Sequence, residues 1–266
     1  MTAEALAGPA PVPLIVFAAL LGAVFGSFLN VCILRWPAEQ SVVRPPSRCP
    51  RCGRGLAWYD NIPIVSWLVL RARCRGCGQP ISAMYPAVEL LIAVLWAAMA
   101  AHDGLSVEAL RGAVFGTILL GITLTDAREM IIPDEFTLGG LVIGLLFSIA
   151  GGWHGVLDAV LGAAVGFFGL WAVGALGTWA FKQDAMGGGD IKMMAMVGAF
   201  LGWPGVLGTV FLGAVLGVLV FGPIALLRSH ARLQLPFGIF LAAGAFSVYL
   251  AGTTIWQWYQ SYLGMA

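Results

Sequence analysis

Long runs of apolar residues, separated by short polar intervals, fill most of the chain. Taken as stretches of roughly 18 to 25 largely apolar residues, they predict membrane-spanning helices. These fall near 13–34, 85–101, 110–126, 135–152, 156–181, 191–203, 205–227 and 236–258. The expected fold is an all-α polytopic membrane protein of about eight transmembrane helices, the pair around Trp203-Pro204 being short for separate crossings. One polar interval is much longer than the rest. It divides the chain into a first transmembrane helix (1–35), a segment of about fifty residues (36–84), and a membrane region of about seven helices (85–266).

Composition agrees with the pattern. Of 266 residues, 60% are hydrophobic and only 10% charged, and the mean hydropathy is +0.91, far beyond a soluble domain. The net charge of +1 points to no nucleic-acid partner. Residues 1–12 contain Glu4 but no Lys or Arg, so the basic region of a cleaved signal peptide is missing. The first helix is therefore expected to be retained, with its N-terminus outside. Placed on the eight-span pattern, every Lys and Arg except Arg111 falls on one side, Arg228 and Arg232 included. By the positive-inside rule that side is cytoplasmic, and cytoplasmic loops follow spans 1, 3, 5 and 7. The arginines of 36–84 then serve as an anchor beside anionic lipid. The 36 glycines recur inside the spans, which suits close helix packing.

The segment 36–84 is too small to stabilise itself through a core and calls for a staple. It carries "CPRCG" and "CRGCG", so Cys49, Cys52, Cys74 and Cys77 form two C-x-x-C pairs. Two such knuckles converge naturally on one tetrahedral ion, and zinc is the expected metal. The glycine after each second cysteine permits the tight turn that aims N–H groups at thiolates. C-x-x-C also serves redox chemistry, but no thioredoxin-like βαβ pattern surrounds either pair, and a cytosolic loop disfavours disulfides. Cys32, inside the first span, is expected to be a packing residue. No repeat of 20 to 50 residues is legible along the chain.

Carboxylates beside apolar runs are the remaining candidates for chemistry. Asp126 ends the third span in "TDAREMIIPDEFT", and Asp190 opens the sixth in "GGGDIK". The basic residues put both at the cytoplasmic face. Two carboxylates that converge there can share a proton, one acting as base toward water and the other as acid toward a peptide carbonyl. Gly187, Gly188 and Gly189 leave room for an extended substrate beside Asp190. Lys192 either orients a carboxylate or anchors the helix at the headgroups, the second being the simpler role. Asp134 and Glu135 read as first-turn acids of their helix. Glu89 sits a few residues inside the second span, a depth at which a carboxylate faces either a bundle partner or a cavity open to the cytoplasm.

In "GSFLNVCILR", the segment 47–82, "YPAVELL", "DAREMIIPDEFT", "GGGDIKMMAMVGAFLGW" and "PFGIFLAAG", the chain resembles the type IV prepilin leader peptidases. The resemblance implies catalytic aspartates at Asp126 and Asp190, supported by Gly187, Gly189 and Lys192, within the G-x-G-D signature. It also implies a cytoplasmic zinc-binding loop in a multi-pass protein of the bacterial inner membrane. Type IV prepilins or type II secretion pseudopilins would be cut after a glycine at the cytoplasmic face. S-adenosylmethionine would then methylate the new N-terminus, at a site the sequence does not assign. This chain has Ile239 where the family usually has proline. A proton- or ion-coupled transporter and a non-catalytic zinc-ribbon scaffold are the alternatives from other classes.

Overall fold

A computed structural model of the protein describes residues 10–184, 186–227 and 236–262. Glu4, Arg228 and Arg232 lie outside the described residues. All regular elements among the described residues are helices: α1 (Val12–Arg35), α2 (Val65–Val69), α3 (Met84–Asp103), α4 (Val107–Glu129), α5 (Asp134–Ser148), α6 (Gly152–Phe181), α7 (Gly188–Leu227) and α8 (Phe237–Tyr262). Five stretches are long and apolar enough to cross a membrane: Val12–Arg35, Met84–Asp103, Val107–Glu129, Asp134–Phe181 and Gly188–Pro223. Phe237–Gly252 is a shorter apolar helix. The chain is thus a multi-pass, all-α membrane protein, but length and apolarity by themselves yield five stretches rather than the expected eight.

Of the three expected crossings that differ, one is the shorter apolar helix Phe237–Gly252, and two lie in stretches interrupted where the sequence set boundaries. Asp134–Phe181 contains a 3-10 turn, Ile149–Gly151, followed by Gly152 at φ 64°. In α7 the break is at Gly202, at φ 67° and ψ 178°, a conformation essentially reserved for glycine. Pro204 follows, and its ring and missing N–H oppose a continuous helix there.

The chain forms two compact units, Met1–Thr117 and Ile118–Ala266. In the first, α1 lies against α3. A side chain at Gly22 would strike Trp96 Cβ at 2.8 Å, and Phe25 stacks on Trp96 with ring centroids 4.7 Å apart. Trp96 Nε1 donates to Thr117 Oγ1 at 3.0 Å, satisfying the buried indole. Between α1 and α3 sits the cysteine segment.

In the second unit the start of α7 is the core. Met193, Met194, Met196, Val197 and Phe200 are all fully buried, so this part of the helix is enclosed on every side, as its unbroken apolarity requires. Gly198 meets Gly162 of α6 backbone to backbone, the close approach that small residues permit between membrane helices. Asp190 thereby opens a helix whose first turns are enclosed by the rest of its unit.

Candidate active site

Asp126 lies in the last turn of α4 and is only 5% exposed. The helix closes just beyond it, where Met130 N–H donates to the Asp126 carbonyl at 3.0 Å and Met130 adopts φ 53°. The chain then runs through Ile131, Ile132 and Pro133 into α5. Asp126 Oδ2 accepts the N–H of Ile239, in the first turn of α8, at 3.2 Å. First-turn N–H groups have no partner within their own helix and present a partial positive charge. Pro236, just before α8, has no side-chain oxygen to cap them, and Asp126 does so from another helix.

Asp190 opens α7 directly after the glycines. A side chain on Gly187 would approach its Oδ2 to 3.3 Å, while Gly188 faces open space. Its other oxygen, Oδ1, is buried without a hydrogen-bond partner. The link between Asp190 and Asp126 runs through a residue of the α4–α5 turn.

Ile132 connects the two sides. A side chain on Gly189 would strike its Cβ at 2.9 Å, and one on Gly238 would strike its Cδ1 at 2.8 Å. The start of α7 and the start of α8 therefore press on the same isoleucine from the short α4–α5 turn. Gly238 is doubly constrained, since a Cβ there would also lie 2.8 Å from Asp126 Oδ2. Sequence reasoning missed Ile132 and Gly238. The available signal was "PFG" before an apolar run, a helix start with no cap of its own.

Lys192 does not contact either aspartate. Its Nζ donates to both oxygens of Asp134, at 2.7 and 2.8 Å, in a pair whose side chains are 38% and 53% exposed. The pair ties the start of α7 to the start of α5. Glu135 is exposed beside it.

In the first unit, Cys49, Cys52, Cys74 and Cys77 come together with all four sulfurs within 4.8 Å of one another. Cys49 and Cys77 Sγ are 3.9 Å apart, close to the roughly 3.8 Å expected between sulfurs each about 2.3 Å from one tetrahedral ion. These residues fit a metal ion. Cys32 is buried apart from them as a packing residue.

The two knuckles repeat each other 25 positions apart. Cys49 N–H donates to Arg54 O and Cys74 N–H to Gln79 O; Gly53 N–H donates to Cys49 O and Gly78 N–H to Cys74 O. Leu56 with Ser47 and Ile81 with Ala72 continue the correspondence. Gly53 and Gly78 have φ 70° and 68° with open space around them, so the backbone turn alone demands glycine. This duplication corrects the expectation of no internal repeat. It was hidden because it resides in backbone hydrogen bonds, with only R-C-x-x-C-G shared as letters.

N–H groups of Cys52 and Arg51 bring the Cys49 thiol down to about 6. At Cys77 the Gln79 N–H favours the thiolate, but desolvation and the Cys74, Cys52 and Cys49 side chains outweigh it and push the thiol up to about 11. A bound cation would reverse that last effect by displacing the protons the sulfurs share.

Residues 113–222, which hold both aspartates, match the type IV leader peptidase family. Residues 20–102, which hold the four cysteines, match the bacterial peptidase A24 N-terminal domain. A prepilin leader peptidase/N-methyltransferase of Aeromonas hydrophila is 38% identical over 269 residues, covering 90% of this chain and 91% of its own. This chain belongs to the type IV leader peptidase family. Another member so named, from Pseudomonas putida, is 35% identical over 281 residues, 96% of both chains. One from Myxococcus xanthus is 45% identical over 209 residues, 77% of this chain, but the match spans only 62% of that protein. No solved structure matches the chain. The family match ends at residue 222, so α8, which supplies the N–H to Asp126, lies beyond it.

Proposed function

We propose that this protein is a membrane aspartic endopeptidase that removes the leader of type IV prepilins or type II secretion pseudopilins after a glycine. The observation that carries the reading is that the α7 start bearing Asp190 and the α8 start that donates to Asp126 press on one residue, Ile132. Asp126, with an N–H donor and a helix N-terminus at hand, suits the charged carboxylate. Asp190, whose buried Oδ1 lacks a partner, suits the one that carries the proton.

In this mechanism Asp126 takes a proton from water as its oxygen attacks the scissile carbonyl carbon, and Asp190 gives its proton to the carbonyl oxygen. Collapse of the tetrahedral intermediate breaks the C–N bond: the departing amine receives the proton held by Asp126, and one hydroxyl of the intermediate returns its proton to Asp190 as the new carboxyl C=O forms. Gly188, open on its side-chain face, leaves room for the substrate backbone.

Zinc is the metal we assign to Cys49, Cys52, Cys74 and Cys77, where it would cross-link the two knuckles and stabilise a segment with little core of its own. The eight-crossing topology has support in length. Asp134–Phe181, at 48 residues, would extend about 72 Å as a continuous helix, more than twice the roughly 30 Å of a bilayer core. The glycine-marked interruptions divide such stretches into pairs of crossings. With eight crossings the N-terminus lies outside, and 36–84 forms a cytoplasmic metal-binding module between the helix 1–35 and the catalytic region 85–266.

The names of the relatives support a second step, N-methylation of the newly exposed amine from S-adenosylmethionine. Family membership favours the enzyme over the transporter and scaffold alternatives. Mass spectrometry of the N-terminus of a prepilin co-expressed with this chain tests both steps. The expected product begins directly after the leader glycine and is one methyl group heavier than the bare peptide. A pilin that keeps its leader contradicts the proposal.

A further inference from the structure

Residues 58–69 bring apolar side chains to the surface of a segment that lies outside the membrane-spanning stretches. In α2, Val65, Leu68 and Val69 fall at positions i, i+3 and i+4, on one face of the helix, and they are 53%, 60% and 70% exposed. Trp58, in the 3-10 turn Trp58–Asn61 that packs on α2, is 81% exposed. A surface helix of a soluble domain turns its polar side outward. Here the outward side is apolar, and a patch of that kind outside the bilayer core marks an interaction surface.

The orientation of α2 is held from within the unit. Ile64 N–H, just before the helix, donates to Oε2 of the buried Glu89 of α3 at 2.7 Å, and Trp67 Nε1 donates to Ile81 O at 3.2 Å. Ser66, Trp67 and Leu70 line the interior. The preceding turn is fixed from its other side, where Asp60 accepts from Arg75 of the second knuckle at 2.7 Å and the Arg75 guanidinium lies over the Tyr59 ring. With these ties in place, Trp58 and the face of Val65, Leu68 and Val69 are left pointing away from the unit.

Charge around the patch is largely of one sign. Segment 36–84 carries seven arginines and no lysine against two acids, Glu39 and Asp60, and Asp60 is taken by Arg75. Arg71 and Arg73 follow the apolar face directly and are exposed. The segment is tethered at both ends, to α1 at Arg35 and to α3 at Met84, two helices that pack together and are each long and apolar enough to cross a membrane. We propose that the 58–69 face docks on the anionic lipid surface of the membrane that α1 and α3 cross. Trp58, Val65, Leu68 and Val69 enter the boundary between headgroups and acyl chains, and Arg71 and Arg73 pair with lipid phosphates. Tryptophan suits that boundary because its ring is apolar and its N–H polar. The double tether keeps the face beside the headgroups, so a weak intrinsic affinity suffices. An apolar groove of a protein partner would cover the same face but leave Arg71 and Arg73 without counter-charge.

Photocross-linking of the full chain in nanodiscs of mixed phosphatidylglycerol and phosphatidylcholine, with a prepilin present, tests the surface. A benzophenone amino acid replaces Val69 in one variant and Val65 in another, and replaces Leu20, exposed on α1, in a control for lipid contact within the membrane. Bound metal retained in each variant is the sign of a folded cysteine segment, and the second position keeps the test decisive if one substitution disturbs it. Phospholipid adducts are expected at both Val65 and Val69, with a phosphatidylglycerol-to-phosphatidylcholine ratio about threefold or more above that at Leu20. Arg71→Gln combined with Arg73→Gln is expected to abolish that enrichment. Adducts to the prepilin, to a second copy or to residues 118–266 in place of lipid overturn the proposal, as does the absence of adducts at both positions while Leu20 forms them. Lipid adducts with the headgroup ratio seen at Leu20 overturn the anionic surface. Nanodiscs expose both faces, so the outcome is independent of the topology proposed above, on which only the assignment to the cytoplasmic leaflet rests.

Discussion

A methyl group on residue 238 would sit 2.8 Å from Asp126 Oδ2 and 2.8 Å from Ile132 Cδ1, so either the carboxylate or the α4–α5 turn must give way. Misplacement of a catalytic group by about 1 Å can cost on the order of a hundredfold in rate. Gly238→Ala is therefore expected to lower prepilin cleavage by tens of fold or more, with protein level unchanged, in a gel-based processing assay. Lys192 gives the opposite case. Its partner is Asp134, and an exposed ion pair contributes about 0–1 kcal/mol. Lys192→Gln should thus reduce cleavage by less than about fivefold; a loss as deep as that of an aspartate variant would place Lys192 in the chemistry. The aspartates were legible in the sequence because a charge against an apolar run is costly and needs a reason. Ile132 and Gly238 were not, because their roles arise from contacts between segments far apart in the chain, and neither residue type is unusual in a membrane protein.

The cysteine segment is held by two copies of one backbone pattern, each offering two sulfurs to a common centre. Damage to either copy should therefore be equivalent. Cys49→Ser and Cys74→Ser are both expected to lose bound zinc, measured by elemental analysis, and to make 36–84 far more sensitive to limited proteolysis. Full metal content in both would contradict the four-sulfur site. Chelation should reproduce the proteolysis result in the unaltered chain. Since binding displaces thiol protons, metal affinity should fall as pH is lowered from about 8 to about 6. The metal set could be read from the sequence because C-x-x-C-G is a compact local signal. The break in α7 was half legible: Trp203-Pro204 marked a boundary, and the structure puts the distorted residue at Gly202. The 3-10 turn before α6 was less legible, since Ile149 and Ala150 are apolar and carry no turn signal of their own.

At the scale of the whole molecule, the membrane character of the chain was legible in its apolar runs. Apolar runs declare membrane helices, and the basic residues declare which loops share a side. The exception to that expected partition, Arg111, pairs with Glu108 at 3.3 Å. Accessibility of single cysteines introduced by substitution checks this arrangement in intact cells. Positions 40, 130 and 183 should be protected from an impermeant thiol reagent, and positions 105 and 151 should be labelled. Labelling at 40 and 130 would invert the topology. What apolarity alone did not determine was the number of crossings, because α5–α6 and α7 read as long helices whose interruptions depend on single glycines. The central claim is narrower: that Asp126 and Asp190 together perform the cleavage. Its most direct test is processing of a co-expressed prepilin by Asp126→Asn and Asp190→Asn, each accumulating to the level of the unaltered chain. The expected result is prepilin that keeps its entire leader in both cases, and normal mature pilin from either variant would contradict the account.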